Sequence, residues 1–140
     1  MEKPSIFQFH NFLINRSVFD LKQNTQRKEL SIGFKPSGRL DFEAGKFELD
    51  LNIQISDKLE ALKIEVEAVG FFSFKDLDRE KLFDFLYINA PAILFPYVRA
   101  YISSLTTLSG LQPIVLPTLN LTNLRDELAA HIEEVSLSSN

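Results

Sequence analysis

The chain has 140 residues, of which 45% are hydrophobic and 24% charged, and its formal net charge is −4. This length and composition predict one soluble globular domain spanning residues 1–140, and the negative charge argues against a nucleic-acid binder, which needs basic residues to neutralise phosphates. Because the chain has no cysteine, disulfides and thiolate chemistry are excluded.

The N-terminal sequence MEKPSIFQFH has no continuous apolar run of the kind found in secretory signals. No other stretch approaches the ~20 apolar residues of a membrane span. We therefore expect a cytoplasmic protein that does not insert into membranes. Residues 136–140 are predicted to form a short flexible tail.

The first predicted strand, residues 6–21, carries apolar side chains on both of its faces. The odd-numbered positions include Phe7, Phe9 and Leu13, and the even-numbered positions include Ile6, Phe12 and Ile14. Such a strand is either sandwiched or lies at an interface. The polar triplet at residues 15–17 predicts a bulge that exchanges the two faces.

Three more strands are predicted. Residues 30–34 alternate and should stop at the turn-forming sequence of residues 35–38. Residues 47–56 and 62–68 alternate strictly, which predicts an antiparallel hairpin with one dry and one wet face. Four carboxylates on the wet face outnumber Lys63, so that face is expected to be acidic: Glu48, Asp50, Glu65 and Glu67.

A long helix is predicted over residues 93–108, where apolar side chains recur every three or four positions. Its first turn is placed at Pro91, with a bend at Pro96. Gly110 should end the helix, and Pro113 and Pro117 should prevent an early restart.

The connection after this helix is unusually apolar for a loop. It contains Ile114, Val115, Leu116, Leu119 and Leu121, whereas loops are normally polar and lie on the surface. Either another element buries it, or it lines a surface that receives apolar material.

The last predicted helix places five apolar residues on one face: Leu121, Leu124, Leu128, Ile132 and Val135. Asn120 or Thr122 is expected to cap its N-terminus.

Nothing in the sequence points to catalysis. Its two histidines, His10 and His131, have no cysteine partners for a zinc or nucleophile site, and the five scattered glycines form no phosphate-binding loop. We therefore expect no enzyme activity, no metal and no cofactor.

Thirteen phenylalanines are more aromatic residues than one small domain needs. The dry sheet face and two amphipathic helices already offer enough aliphatic side chains for a core. Two destinations suit the surplus: burial between subunits, or a groove for apolar segments of another protein.

Residues 90–99, APAILFPYVR, resemble the ILFPYAR-type signature at the first helix of the SecB export chaperones, with Val98 where alanine is commonest. The segment after Gly110 resembles the proline-led loop that enters the family's last helix, with Asn120 and Leu121 at the entry. Residues 64–73 resemble its fourth strand, and residues 7–20 its first. The resemblance covers most of the chain.

This resemblance implies an α+β fold in which a four-stranded antiparallel sheet carries two C-terminal helices on one face. It also implies a homo-oligomer, a tetramer built as a dimer of dimers. The function implied is that of an ATP-independent holdase, which keeps unfolded preproteins export-competent in apolar grooves. Client contacts are then expected from Phe12, Phe19, Leu116, Leu119, Leu121, Leu124 and Leu128. Oligomer contacts are expected from Phe7, Phe9, Tyr97 and Tyr101.

The family's acidic sheet face docks the motor ATPase SecA, and here Asp20 and Glu65 stand at matching acidic positions. Arg16 stands where an acidic residue is expected, which puts SecA docking in doubt. One alternative is therefore a SecB-like chaperone dedicated to another client, such as an antitoxin. Another is a carrier that encloses a small apolar ligand.

Overall fold

A computed structural model describes residues 6–23, 29–117 and 121–137, with the backbone alone described at 121 and 122. The fold is α+β: one sheet carries its helices on one face. Along the chain the elements are β1 (Ile6–Leu21), β2 (Leu30–Asp41), β3 (Lys46–Asp57), β4 (Leu62–Lys75), α1 (Arg79–Asp84), a π-helical turn (Phe85–Asn89), α2 (Ala90–Leu108), α3 (Leu121–Ala130) and β5 (Ile132–Glu134).

The sheet has five strands in the order β1-β4-β3-β2-β5, with β5 parallel to β2 and the other neighbours antiparallel. The prediction of four strands was therefore wrong. The fifth comes from residues that were assigned to the last helix. That helix ends at Ala130, and Ile132 lies instead opposite Gly38. The edge of β2 supplies backbone partners that sequence periodicity does not reveal.

The β2 strand also continues through the predicted turn. Pro36 pairs with Leu51 and Gly38 with Leu49, so the ladder to β3 is unbroken. Among the described residues β5 pairs only with Gly38–Leu40, so at Pro36 the strand has β3 as its one paired neighbour, and proline is tolerated at such an edge position.

The β3–β4 hairpin is confirmed, with Ile55 opposite Ile64. In its turn, Asp57 accepts a hydrogen bond from the Leu62 N–H at 3.2 Å. The alternating residues of both strands are fully or almost fully buried: Phe47, Leu49, Leu51, Ile53, Ile55, Leu62, Ile64, Val66 and Ala68.

The β1 strand contains two bulges. The register against β4 shifts between Phe9 and Asn11 and again between Ile14 and Arg16, where a bulge was predicted. Because each bulge reverses parity, six apolar residues from both sequence parities lie on the face that carries the helices: Phe7, Phe9, Phe12, Ile14, Phe19 and Leu21. The interpretation of β1 as apolar on both faces was thus right only in part: Ile6, Leu13 and Val18 lie on the opposite face, where Ile6 is 43% and Leu13 51% exposed.

The helical segment begins well before Pro91. Asp78 caps α1 by accepting a hydrogen bond from the Lys81 N–H at 2.8 Å. The π-helical turn then leads directly into α2, which includes Pro96 and ends at Leu108 as predicted, with Gly110 at φ 91°. Every fourth residue along this course is completely buried: Leu82, Leu86, Ala90, Leu94, Val98 and Ile102.

Candidate functional site

Aromatic side chains meet where β1 lies beside α2. The ring of Tyr97 lies 4.9 Å from that of Phe12 and 5.6 Å from that of Phe9, and Phe7 stacks on Phe85 at 5.1 Å. Tyr97 is nevertheless 44% exposed. We call Phe7, Phe9, Phe12 and Tyr97 the β1 aromatic cluster. It forms a partly open apolar surface at one margin of the domain.

The first bulge of β1 builds this cluster. Phe9 and Phe12 are three residues apart and would point to opposite faces of a regular strand. The extra residue, His10, reverses the parity, so both rings contact Tyr97. This bulge was not predicted from the sequence, because His10 carries no turn signal.

The second bulge places Ser17 under α2. The Tyr101 hydroxyl donates a hydrogen bond to Ser17 Oγ at 2.8 Å. Tyr97 and Tyr101 lie one helical turn apart, so the four residues predicted for the oligomer interface are spread along the border between β1 and the helices, with Phe9 in contact with Tyr97. The structure also places Phe12, predicted for client binding, in the β1 aromatic cluster, while Phe19 is half-buried farther along β1.

The apolar loop packs against the end of α2. The buried hydroxyl of Thr106 accepts a hydrogen bond from the Ile114 N–H at 2.9 Å, and Ser103 Oγ donates to the Ile114 carbonyl at 3.0 Å. Leu116 is completely buried, whereas Val115 is 58% exposed. The loop is therefore buried in part by its own chain, and the expectation that it receives apolar material stays a prediction.

The remaining predicted client residues lie mainly in the core. Leu124 and Leu128 of α3 are buried within the protomer, as is Leu116. Leu119 and the side chain of Leu121 lie outside the described residues. In this conformation, the three buried leucines are covered by the chain itself.

A second apolar margin lies along β2. Leu30, Ile32 and Phe34 are half-buried and pack against the core. The Phe34 ring meets that of Phe95 of α2 edge to face at 6.0 Å. This β2 margin was not predicted as a site, although its alternation was visible in the sequence.

The opposite sheet face is polar, but its carboxylates are paired. Arg16 lies 3.0 Å from Glu65 and 3.9 Å from Glu67. Glu65 is thereby only 14% exposed at its side chain, while Asp20, the other SecA-docking candidate, is exposed.

A second arginine repeats this arrangement. Arg39 lies 3.2 Å from Glu48 and 3.0 Å from Asp50. Burial raises the pKa of Asp50, and the neighbouring Arg39 opposes that rise. Because each arginine contacts two of the four carboxylates, the prediction of an acidic face was wrong. The prediction compared only the charges on β3 and β4 and left out the arginines that β1 and β2 contribute to this face.

The two histidines make ordinary polar contacts. His10 Nε2 lies 2.6 Å from Ser73 Oγ, and His131 Nδ1 lies 2.7 Å from the Glu127 carbonyl. In the described part of the chain, no three histidine or carboxylate side chains are grouped so that they could hold a metal ion. Within the same residues, no helix has the length and apolarity to cross a bilayer.

Comparison with solved structures supports the fold. The Mycobacterium tuberculosis SecB-like chaperone Rv1957, in complex with a ChAD peptide from the Rv1956 HigA1 antitoxin, matches with a TM-score of 0.69 and 17% identity. The match covers 81% of this chain and 88% of that one. At this identity the likeness concerns the fold alone.

Sequence relatives connect the chain to named proteins. The uncharacterized protein MJ0357 of Methanocaldococcus jannaschii is 32% identical, over 96% of this chain and 91% of that protein. The protein-export protein SecB of Alcanivorax borkumensis is 25% identical, over 85% and 83% of the two chains. SecB of Aromatoleum aromaticum is 34% identical over 59% of this chain and 54% of its own length. The sequence model of the family described as "Preprotein translocase subunit SecB" matches residues 18–131. The chain belongs to the SecB family.

Proposed function

We propose that this chain is a cytoplasmic, ATP-independent chaperone that holds unfolded polypeptides on apolar surface. The observation that carries the proposal is the distribution of the phenylalanines. Four of the thirteen are buried, and the other nine are half-buried. One protomer therefore presents aromatic surface that another polypeptide can cover.

The apolar margins suit a client of no fixed sequence. Removing apolar surface from water contributes about 25 cal/mol per Å² and sets no directional requirement. Few fixed polar contacts then allow many segments to bind with modest affinity. A folded client buries the same side chains, so release follows from the client's own folding.

In this proposal one apolar margin serves contact between protomers and the other serves client binding. The β1 aromatic cluster joins Tyr97 to Phe9 and Phe12, and contact between protomers there would give the homo-oligomer, a dimer of dimers. Phe19 and the β2 margin remain for clients. Leu116, Leu124 and Leu128 join them only where α3 moves away from the core. Several such surfaces on one oligomer strengthen the hold on a long chain through effective concentration.

The test is a refolding assay with a denatured, slow-folding client at near-stoichiometric ratio, beside light scattering of the chaperone alone. We expect a tetramer that delays refolding without ATP. A monomer that leaves the refolding rate unchanged would contradict the proposal. Native mass spectrometry that shows a retained small apolar molecule would favour a ligand carrier instead.

The pairing of Arg16 with Glu65 favours a second candidate, a chaperone dedicated to a client outside SecA-dependent export. A carboxylate held at 3.0 Å by an arginine of its own chain offers less attraction to a basic partner. Titration with purified SecA separates the two candidates. Binding tighter than about 1 µM would support export, and its absence together with retained holdase activity would support the dedicated chaperone.

A further inference from the structure

The C-terminal segment, residues 132–137, lies along the outer edge of β2. Its register places Ile132 opposite Gly38, and the Val135 N–H donates to the Leu40 carbonyl at 2.8 Å. The Leu137 N–H donates to Asp41 Oδ2 at 2.9 Å. We call this segment the C-terminal strap. It supplies to the β2 edge the backbone hydrogen bonds that another extended chain would supply.

A side-chain pocket lies beneath the strap at Gly38. A Cβ atom at Gly38 would lie 2.6 Å from the Phe47 ring and 3.0 Å from Ile132 Cδ1. The missing side chain therefore allows Ile132 to pack close to Phe47, which is completely buried. We call this space, where the Ile132 side chain lies, the Gly38 pocket.

The strap is held by few contacts. Its ladder to β2 comprises three residues, and parallel pairing is the weaker kind per residue. Arg79 adds an ion pair to Glu134 at 2.6 Å, but both side chains are more than half exposed, where such pairs contribute little. A competing strand must replace these contacts together with the hydrogen bonds of the Val135 and Leu137 amides and the packing of Ile132.

The β2 edge extends beyond the strap. Among the described residues, the strap pairs with Gly38–Leu40 alone on this side of β2. The edge of residues 30–35 continues from there past Pro36, with the half-buried Ile32 and Phe34 beside it. An extended client could therefore occupy a longer edge than the strap does.

We propose that the C-terminal strap is a self-ligand, which occupies the β2 edge in the free protein and is displaced when an extended client segment places a branched apolar residue in the Gly38 pocket. This inference rests on the proposed chaperone function and adds its regulation. Because α3 ends at Ala130, immediately before the strap, displacement also frees that end of the helix. Leu124 and Leu128 could then become accessible to the same client.

A reversible covalent lock tests the proposal in the full-length chain. Arg39 and Glu133 are register partners, and their strand spacing of about 4.8 Å suits a disulfide. The chain has no other cysteine, so Arg39→Cys/Glu133→Cys can form only this intramolecular bond. The reduced form of the same variant is the matched control, since it also lacks the Arg39 ion pairs.

We expect the reduced variant to bind a denatured, cysteine-free client like the wild type, and the oxidised variant to bind it at least about tenfold more weakly. Equal affinity of the two forms would overturn the strap proposal and leave the holdase proposal standing. If the wild type holds no client at all, both proposals fail.

Hydrogen exchange on the wild-type chain provides a second measurement that does not depend on the variant folding. Client binding should accelerate exchange of the Val135 and Leu137 amides, which donate to β2 in the free protein. The Leu62 amide in the β3–β4 turn serves as an internal reference. Unchanged or increased protection of both strap amides on client binding would overturn the proposal.

Discussion

Arg16 Nη1 of β1 lies 3.0 Å from Glu65 Oε1 of β4. The carboxylate that the family resemblance assigns to SecA docking is therefore paired with a cation of its own chain. Replacing Arg16 by glutamate removes the cation beside Glu65 and adds a second negative charge next to it. We expect Arg16→Glu to bind SecA at least about tenfold more tightly than the wild type, because complementary charge accelerates and strengthens association. Isothermal titration calorimetry at low salt measures the difference.

Arg99→Glu is the control for this change, because it alters net charge equally at an exposed position of α2. Equal affinities for the two variants would show that the Arg16–Glu65 pair does not govern docking.

Gly38 allows β2 to pass directly over the Phe47 ring. We expect Gly38→Ala to lower the free energy of unfolding by about 1–3 kcal/mol, because the new Cβ would lie 2.6 Å from the completely buried Phe47 ring. Gly33→Ala on the same strand meets no atom within 4 Å, and its effect should stay within about 1 kcal/mol. Urea unfolding of both variants checks this contrast, and equal destabilisation would contradict it.

Thr106 attaches the apolar loop to α2. We expect Thr106→Val to lower the free energy of unfolding by about 1–3 kcal/mol, because the partly buried Ile114 N–H would lose its acceptor. Thr107→Val is the control, since that hydroxyl is exposed and bonds only within the helix. Faster hydrogen exchange at Ile114 in the first variant alone would confirm the role. Similar exchange in both would exclude it.

Asp41 accepts a hydrogen bond from the Leu137 N–H of the strap, so we expect attachment of the strap to depend on pH. Hydrogen bonds from the N–H groups of Ala44 and then Leu137 lower the pKa of Asp41, because both favour the carboxylate. Its stabilising contribution is therefore complete above the pKa of the unfolded state, about 4, and is lost as pH falls through the lower folded value. We expect the Leu137 amide resonance to move below about pH 4, with a plateau between pH 5 and 7. The same movement in Asp41→Asn would assign it to another group.

Tyr97 is the most exposed member of the β1 aromatic cluster. If protomers meet through this cluster, Tyr97→Ala should convert the oligomer to a smaller species. Light scattering after size exclusion measures the change across a range of concentrations. Phe83→Ala provides a control, because the half-buried Phe83 ring stacks on Tyr87 and not on a ring of β1. An unchanged mass for Tyr97→Ala would place the interface elsewhere.

Much of the fold followed from local pattern. The alternation of β3 and β4 predicted their hairpin, and Gly110 marked the end of α2. These elements depend on which side chains are apolar and on one residue's backbone freedom, both of which are properties of short sequence windows. The bulge at His10 could not be predicted in this way, because it is recognised only when Phe9 and Phe12 contact the same Tyr97 ring.

By itself, the sequence determined the surplus of aromatic side chains, the strand and helix periods and the signature that relates this chain to SecB. Only the tertiary structure decided where the surplus lies, which carboxylates are paired and that residues 132–134 form a strand. The physical reason is that these outcomes depend on partners distant in sequence. Arg16 meets Glu65, and Ile132 meets Gly38, only after the sheet has brought their strands together.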